Sequence, residues 1–446
     1  MFDKVLIANR GEIALRVIRA CRELGIATVA VYSEADAESR HVTFADEAVC
    51  IGPPPAIKSY LQMESLVTAA KTRGAQAIHP GYGFLAENER FSALCRQEGI
   101  TFIGPDPESI ALMGDKAAAR ATMTAAGVPV TPGSDGVVAD AAAAEEVARA
   151  IGLPLMVKAA GGGGGKGIRI VRDADALAVA VRQAQNEAQA AFGNPAVYLE
   201  RYIEEPRHVE IQVLADAHGN VVYLGERDCS IQRRHQKLIE EAPSPAVTPE
   251  TRAAMGAAAV EAARAAGYRG AGTVEFLLDP DGRFYFMEMN TRVQVEHPVT
   301  EMVTGIDIVK TGIAVAAGEP LPFAQADIRV EGHAIEFRIN AEDPARNFLP
   351  SPGLVSEWSP PGGPWVRVDS HVFQGYTVPQ FYDSLLAKLI VWGRDREEAV
   401  RRGRWALAQF RVGGVQTTIP FHQHVLDHPS FVAGTVSTHF IDDHFA

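Results

Sequence analysis

Leu155-Met156-Val157-Lys158-Ala159-Ala160-Gly161-Gly162-Gly163-Gly164-Gly165-Lys166-Gly167-Ile168-Arg169-Ile170-Val171 is the stretch whose reading decides the fold. Two apolar runs with the look of strands enclose five consecutive glycines, with a lysine on each side. Glycine loses more freedom on ordering than any other residue, so such a loop needs a ligand to compensate. Its unobstructed N–H groups are able to wrap an anion. A glycine loop between two cations therefore reads as a phosphate cradle, with a nucleoside triphosphate as the ligand. It is not the Walker loop, because Gly167 stands where that motif places the magnesium-binding Ser or Thr. A flexible linker is the competing reading, and the strand-like flanks speak against it.

The 446 residues, 47% of them hydrophobic, are enough for two or three packed domains. A formal net charge of −13 disfavours nucleic acid or an anionic membrane as partner, so the basic run Arg227 to Lys237 reads as a local anion site. No apolar run approaches the length of a membrane helix. Met1-Phe2-Asp3-Lys4-Val5-Leu6-Ile7-Ala8 enters a strand without a basic leader, and the expected location is the cytoplasm. Cys21, Cys50, Cys95 and Cys229 form no C-x-x-C or C-x-x-H pair, which fits reduced thiols and gives no support for structural zinc.

Lys4 to Ala8 reads as a buried strand, Glu12 to Leu24 as a helix stopped by Gly25, and Thr28 to Tyr32 as the next strand. The alternation continues through Ala77-Ile78-His79 and Phe102-Ile103-Gly104 and predicts a doubly wound parallel-sheet domain over 1–114, without a G-x-G-x-x-G fingerprint. A helical linker over 115–130 includes a helix from Lys116 to Ala126. A small mobile lid over 131–203 holds helices Asp140 to Ile151 and Ala174 to Phe192 around the glycine loop. The rest, 204–446, is strand-rich, a larger mixed-sheet domain, so the fold class combines α/β with α+β.

Gly272 to Leu278, the turn Asp279-Pro280-Asp281-Gly282, and Arg283 to Arg292 predict a β-hairpin. With Asp281-Gly282 as the central turn Glu275 and Glu288 lie opposite each other; with all four residues turning they are diagonal neighbours. Either register faces two carboxylates together, and alternation adds Asn290, a set of oxygens whose repulsion a hard cation such as Mg²⁺ would relieve. A solvated sheet face is the alternative. Alternation past Arg292 brings Gln294 and Glu296 toward the same site, where a guanidinium and a base suit an anionic substrate, unless they form only a surface ion pair. The donors between Arg227 and Lys237 suit a transferred phosphoryl group, with Lys237 on the γ-phosphate. Cys229 lacks an obvious base and reads as a structural thiol.

The chain resembles the biotin carboxylases, a family of the ATP-grasp superfamily. The motifs carrying the resemblance are Ile7 to Ala14, His79 to Asn88, Met113 to Lys116, the glycine loop, Arg227 to Lys237, Glu288 to Pro298 and Arg338-Ile339-Asn340-Ala341-Glu342-Asp343-Pro344. The resemblance implies that ATP is bound by Lys116, Lys158, Gly163, Gly164, Gly165, Gln232, His235, His208 and Lys237. Glu200, Arg201, Ile203 and Leu277 would border the adenine; relatives often carry Lys in place of Arg201, of little consequence if the contact is through backbone. Glu275, Glu288 and Asn290 would hold two Mg²⁺ or Mn²⁺ ions. Bicarbonate would sit by Arg292, Gln294, Val295 and Glu296, with Glu296 the base, and biotin by Tyr82, Gly83 and Arg338. The implied reaction runs through carboxyphosphate to N1-carboxybiotin, the first half-reaction of an acetyl-CoA carboxylase; a propionyl-CoA or pyruvate carboxylase is the alternative. Implied partners are a biotin carboxyl carrier protein, the carboxyltransferase subunits, and a second copy, with Arg19, Glu23 and Arg367 at matching interface positions and Pro364 and Trp365 departing from a common pattern. No Met-Lys-Met acceptor is present, so biotin is expected on another chain. Another ATP-grasp ligase or an idle nucleotide-binding module are the rival readings. Arg338 and the His79 to Asn88 loop favour biotin over the first, and the retained acidic and basic residues oppose the second.

Overall fold

The computed structural model describes residues 1–159, 168–192 and 194–445. They divide into two compact units, one of Met1–Val128, Arg207–Phe276 and Glu288–Ala446, the other of Pro129–Pro206 and Leu277–Met287.

In the first unit, the apolar run Val5-Leu6-Ile7 forms the strand Lys4–Ile7, with all three side chains fully buried, as a strand covered on both faces requires. It is the centre of a five-stranded parallel sheet ordered Glu47–Cys50, Ala27–Tyr32, Lys4–Ile7, Ala77–His79, Thr101–Phe102. The expected helix from Glu12 to Leu24 is Gly11–Glu23, which buries Ile13, Ala14, Val17, Ile18 and Cys21. Strand order reverses beside Lys4–Ile7, and a doubly wound sheet opens a crevice at that point, past the C-terminal strand ends. Here Asn9 Nδ2 donates to the carbonyls of Pro80 and Tyr82, each at 2.7 Å. Gly81, at φ +65°, allows the close approach, because a Cβ would stand 2.9 Å from Asn9 Nδ2. The loop after Ala77–His79 is thereby tied to the start of the helix, and Tyr82 O–H donates to the Glu12 carboxylate.

An eight-stranded sheet runs in the order Phe284–Asn290, Gly270–Leu278, Arg207–Ala215, Val221–Arg233, Gln236–Ala242, His333–Asn340, Leu385–Gly393, Val366–Ser370. From Arg207–Ala215 onward the neighbours are antiparallel. Ile335, Phe337 and Ile339 alternate into a core filled by the helices Arg396–Gln409 and Ile419–Asp427, which leaves Glu336 and Arg338 for the other face.

The hairpin turn differs from both expected forms. Asp279 N–H donates to Arg283 O at 2.8 Å around three residues, Pro280-Asp281-Gly282, with Gly282 at φ +81° supplying the left-handed position such a loop needs. In the second unit, strands Ile168–Val171, Leu155–Ala159 and Val197–Arg201 form an antiparallel sheet packed by the helices Ala141–Ile151 and Ala174–Phe192. Asp140 caps the first of these helices by accepting from Ala143 N–H at 2.9 Å. The runs flanking the glycines are strands; residues 160–167, and with them Gly163, Gly164 and Gly165, lie outside the described residues.

Candidate active site

Alternation along Arg207–Ala215 sends His208, Glu210 and Gln212 to one buried face, and the facing strands add Arg227, Lys237 and Glu275. Lys237 Nζ stands 2.6 Å from Glu210 Oε2, 2.9 Å from Glu275 Oε1 and 2.7 Å from Glu296 Oε1. Burial opposes its charge, but the three carboxylates outweigh it and hold the ammonium pKa well above the usual lysine value. Arg227, fully buried, donates to Glu210, to Gln212 Oε1 at 2.7 Å, to Thr300 Oγ1 at 2.9 Å and to Thr273 Oγ1 at 3.0 Å. Those bonds fix Glu210, which in turn holds Lys237.

Glu296 is fully buried between two cations, with Arg338 donating to its second oxygen, Oε2, at 3.0 Å. Desolvation raises its pKa, yet Lys237, Arg338 and Arg227 together keep it well below the ordinary carboxylate range. The guanidinium touching this base is Arg338, not the expected Arg292. Arg292 donates instead to Glu87 Oε2 at 2.8 Å, Gln294 Oε1 at 2.9 Å and Asn290 Oδ1 at 3.0 Å. The alternation past Arg292 is also not a strand, since pairing stops at Asn290 and Glu296 is the N-cap of the helix His297–Thr304, with Pro298 in its first turn. The polar side chains converge because the chain turns there.

Glu275 accepts from Asn290 Nδ2 at 2.8 Å and Gln294 Nε2 at 3.0 Å, and its Oε2 lies 3.0 Å from His208 Nε2. Its charge raises the pKa of half-buried Glu288 beyond what burial does, with Lys116 acting in the opposite sense. Glu275 and Glu288 are thus close enough for one carboxylate to act on the other, the like-charge effect that the hairpin reading expected. Asn290 Oδ1 accepts from Arg292 while its Nδ2 donates to Glu275, so the amide orientation is set from both sides and the oxygen keeps a second lone pair. His208, Glu210 and Glu275 also bring ligand atoms within 4.8 Å of one another.

The donors of Arg227 to Lys237 do not form one patch. Arg234 and His235 are the exposed turn of a tight hairpin at φ +49° and +64°, Gln232 is half-buried, and Arg233 lies over the Phe348 ring at 4.8 Å. Among the described cations of that run, Arg227 and Lys237 are the two that pair with the acid cluster. Cys229 is buried beside Glu296, and desolvation pushes its thiol pKa well up, in keeping with an inert role. Tyr82 is half-buried against Glu12, and Gly83 is exposed. In the second unit Lys158 pairs with Glu200, Arg201 N–H donates to Pro132 O at 2.7 Å, Ile203 is buried and Leu277 half-buried.

Sequence reasoning missed Glu210, Glu240 and Lys388. Glu210 was within reach, because it alternates with His208. Glu240 accepts from Arg338 Nε at 2.6 Å, and Lys388 is fully buried in a strand whose other residues are apolar, between Arg338 and Asp369 on the neighbouring strands; no local spacing marks either.

A doubly wound sheet, a small three-stranded unit flanking a glycine loop, and a large sheet lined with carboxylates and cations define an ATP-grasp ligase. Residues 1–110, 115–324 and 336–443 match the models for the biotin carboxylase N-terminal domain, the carbamoyl-phosphate synthase L chain ATP-binding domain and the biotin carboxylase C-terminal domain. The chain belongs to the biotin carboxylase family. It is 58% identical to a biotin carboxylase of Nostoc sp., over 99% of both chains, and 57% identical to biotin carboxylase 1 of Bacillus subtilis, over 99% of this chain and 98% of that one. A pyruvate carboxylase subunit from Methanothermobacter thermautotrophicus is 55% identical over 100% of this chain and 90% of its own length. A solved biotin carboxylase domain dimer of Hydrogenobacter thermophilus 2-oxoglutarate carboxylase, in complex with MgADP, ADP and bicarbonate, superposes with a TM-score of 0.90 at 54% identity, covering 100% and 98% of the two chains.

Proposed function

We propose that the chain carboxylates biotin N1 on a separate carrier protein, using MgATP and bicarbonate, as the first half-reaction of an acetyl-CoA carboxylase. The observation that carries this reading is the ionised, fully buried Glu296 held between Lys237 and Arg338.

Glu296 takes the proton of bicarbonate, whose oxygen attacks the γ-phosphorus and releases ADP. Lys237, shared by three carboxylates, turns toward the incoming γ-phosphate. Losing that cation raises the basicity of Glu296 just when the substrate is in place. Arg292, Gln294 and the Val295 backbone hold the anion; Lys116, His208, Gln232 and His235 are assigned to the nucleotide. Glu275, Glu288 and the second lone pair of Asn290 Oδ1 would hold Mg²⁺ or Mn²⁺, which neutralises phosphate charge when bound. Carboxyphosphate cleaves to CO₂ and phosphate, the phosphate removes the N1 proton, and N1 attacks CO₂. Arg338 stabilises the negative ureido oxygen, with Tyr82 and Gly83 beside the ring.

For the second unit, the resemblance supports adenine contacts at Glu200, Arg201, Ile203 and Leu277, and phosphate contacts at Lys158, Gly163, Gly164 and Gly165. Functional divisions at 1–114, 115–130, 131–203 and 204–446, a cytoplasmic location and a homodimer using Arg19, Glu23 and Arg367 belong to the same reading. A biotin carboxyl carrier protein and carboxyltransferase subunits are the partners in that reading. The 55% identity to a pyruvate carboxylase component favours pyruvate as the alternative final acceptor.

Steady-state phosphate release tests the proposal. Hydrolysis of MgATP is expected to require bicarbonate and to accelerate with free biotin. A rate indifferent to both contradicts it.

A further inference from the structure

Lys388 is among the largest fully buried side chains of the protein, yet it lies in the otherwise apolar strand Leu385–Gly393. A lone ammonium in such a place is costly unless its donors are met. Its Nζ donates to the Val295 carbonyl at 2.9 Å and lies 3.0 Å from Glu12 Oε1. That same Glu12 oxygen accepts from Tyr82 O–H, while Glu12 Oε2 has no hydrogen-bond partner among the described residues. In the sheet, Lys388 is the register partner of Arg338.

One side chain thus reaches two segments of the proposed site directly, at Val295 and Glu12, and a third, at Tyr82, through Glu12, from the strand beside Arg338. The Val295 carbonyl belongs to the same rigid peptide plane as the Glu296 N–H, so pinning it orients the backbone from which the base projects. Through Glu12 the same cation fixes the position of the Tyr82 hydroxyl. Stability alone is a poor account of the pair, since buried ion pairs are often no better than apolar replacements of similar volume.

We propose that Lys388 is a positioning residue for both small substrates. It sets the Val295–Glu296 peptide for bicarbonate and, through Glu12, the Tyr82 side chain for biotin, in register with Arg338. It touches neither substrate. The proposal rests on the functional reading above and deepens it.

The test is the Glu12→Gln/Lys388→Met double variant, which removes both charges together at nearly constant volume, alongside Glu12→Gln alone. In the double variant KM for bicarbonate and for free biotin is expected to rise roughly tenfold each, the scale of one lost charged hydrogen bond, while KM for MgATP stays within about twofold. Glu12→Gln alone keeps the Lys388 bond to Val295 and is expected to raise only the biotin KM. Unchanged bicarbonate and biotin constants in the folded double variant, or an equal rise in all three, overturn the proposal. If the double variant does not fold, an unchanged biotin KM in Glu12→Gln overturns it. Wild-type protein whose hydrolysis ignores bicarbonate removes instead the reading on which the proposal stands.

Discussion

At Arg338 two functions meet in one side chain. Its guanidinium donates to Glu240 and to Glu296, so it both steadies the base and stands ready for charge on a substrate oxygen. The carbonyl of the same residue is held by Thr418 Oγ1 at 2.7 Å and His422 Nε2 at 2.8 Å, which fixes the backbone behind it. Removing a donor that matters most once negative charge develops costs about a hundredfold or more in the step it serves. Arg338→Ser is therefore expected to reduce ¹⁴C fixation into free biotin at least that much. Bicarbonate-dependent ADP release should fall less, because Glu296 and Lys237, the base and the cation assigned to the γ-phosphate, both remain. Both activities are measured on one preparation, with circular dichroism to check the fold; equal losses would place Arg338 wholly in phosphoryl transfer.

The strand Gln236–Ala242 shows how one element gives adjacent carboxylates opposite tendencies. Glu241 accepts from Arg396 Nε at 2.6 Å and lies 2.7 Å from His333 Nε2; burial is overridden and its pKa falls to about 2. Glu240 faces Glu336 across the sheet, and burial takes it up to about 7 despite Arg338. Glu336, buried with neither oxygen hydrogen-bonded among the described residues, is raised well above its usual value by desolvation first. The signs follow by linkage. Glu241, with its folded pKa depressed, stabilises the protein above about pH 4.5, and that contribution disappears as pH falls toward about 2. The lowering corresponds to roughly 3 kcal/mol. Glu240, with its folded pKa raised, contributes stability below about pH 4.5 that is lost as pH rises through about 7. Denaturant titrations should find Glu241→Gln destabilising at pH 6 and progressively less so toward pH 2, and Glu240→Gln relatively more stable at pH 8 than at pH 4.5. Differences independent of pH for both would contradict these assignments.

Across the whole molecule, the parts legible in the sequence were those written locally. The strand–helix alternation from Lys4 to Phe102, the helix Ala174–Phe192 and the existence of the hairpin carrying Glu275 and Glu288, though not the form of its turn, follow from periodicity and turn residues. The convergence of Glu296 with Lys237 and Arg338 was only partly legible, because alternation past Arg292 pointed to the right side chains for the wrong reason, a strand where the chain turns into a helix cap. Ions such as Glu210, Glu240 and Lys388 find their partners Arg227, Arg338 and Glu12 on other strands and helices, brought together by topology rather than by spacing. Among the described residues no helix is long and apolar enough to cross a membrane.

The central claim is that bicarbonate itself, activated by Glu296, attacks the γ-phosphate before any carbon reaches biotin. Transfer of ¹⁸O measures this directly: the chain is incubated with MgATP, free biotin and ¹⁸O-labelled bicarbonate, and the inorganic phosphate is weighed by mass spectrometry. Cleavage of carboxyphosphate at its C–O bond leaves one bicarbonate oxygen on phosphorus, so one ¹⁸O per phosphate formed is expected. Phosphate without ¹⁸O, its fourth oxygen drawn from unlabelled water, would show that water is the attacking group and would contradict the account.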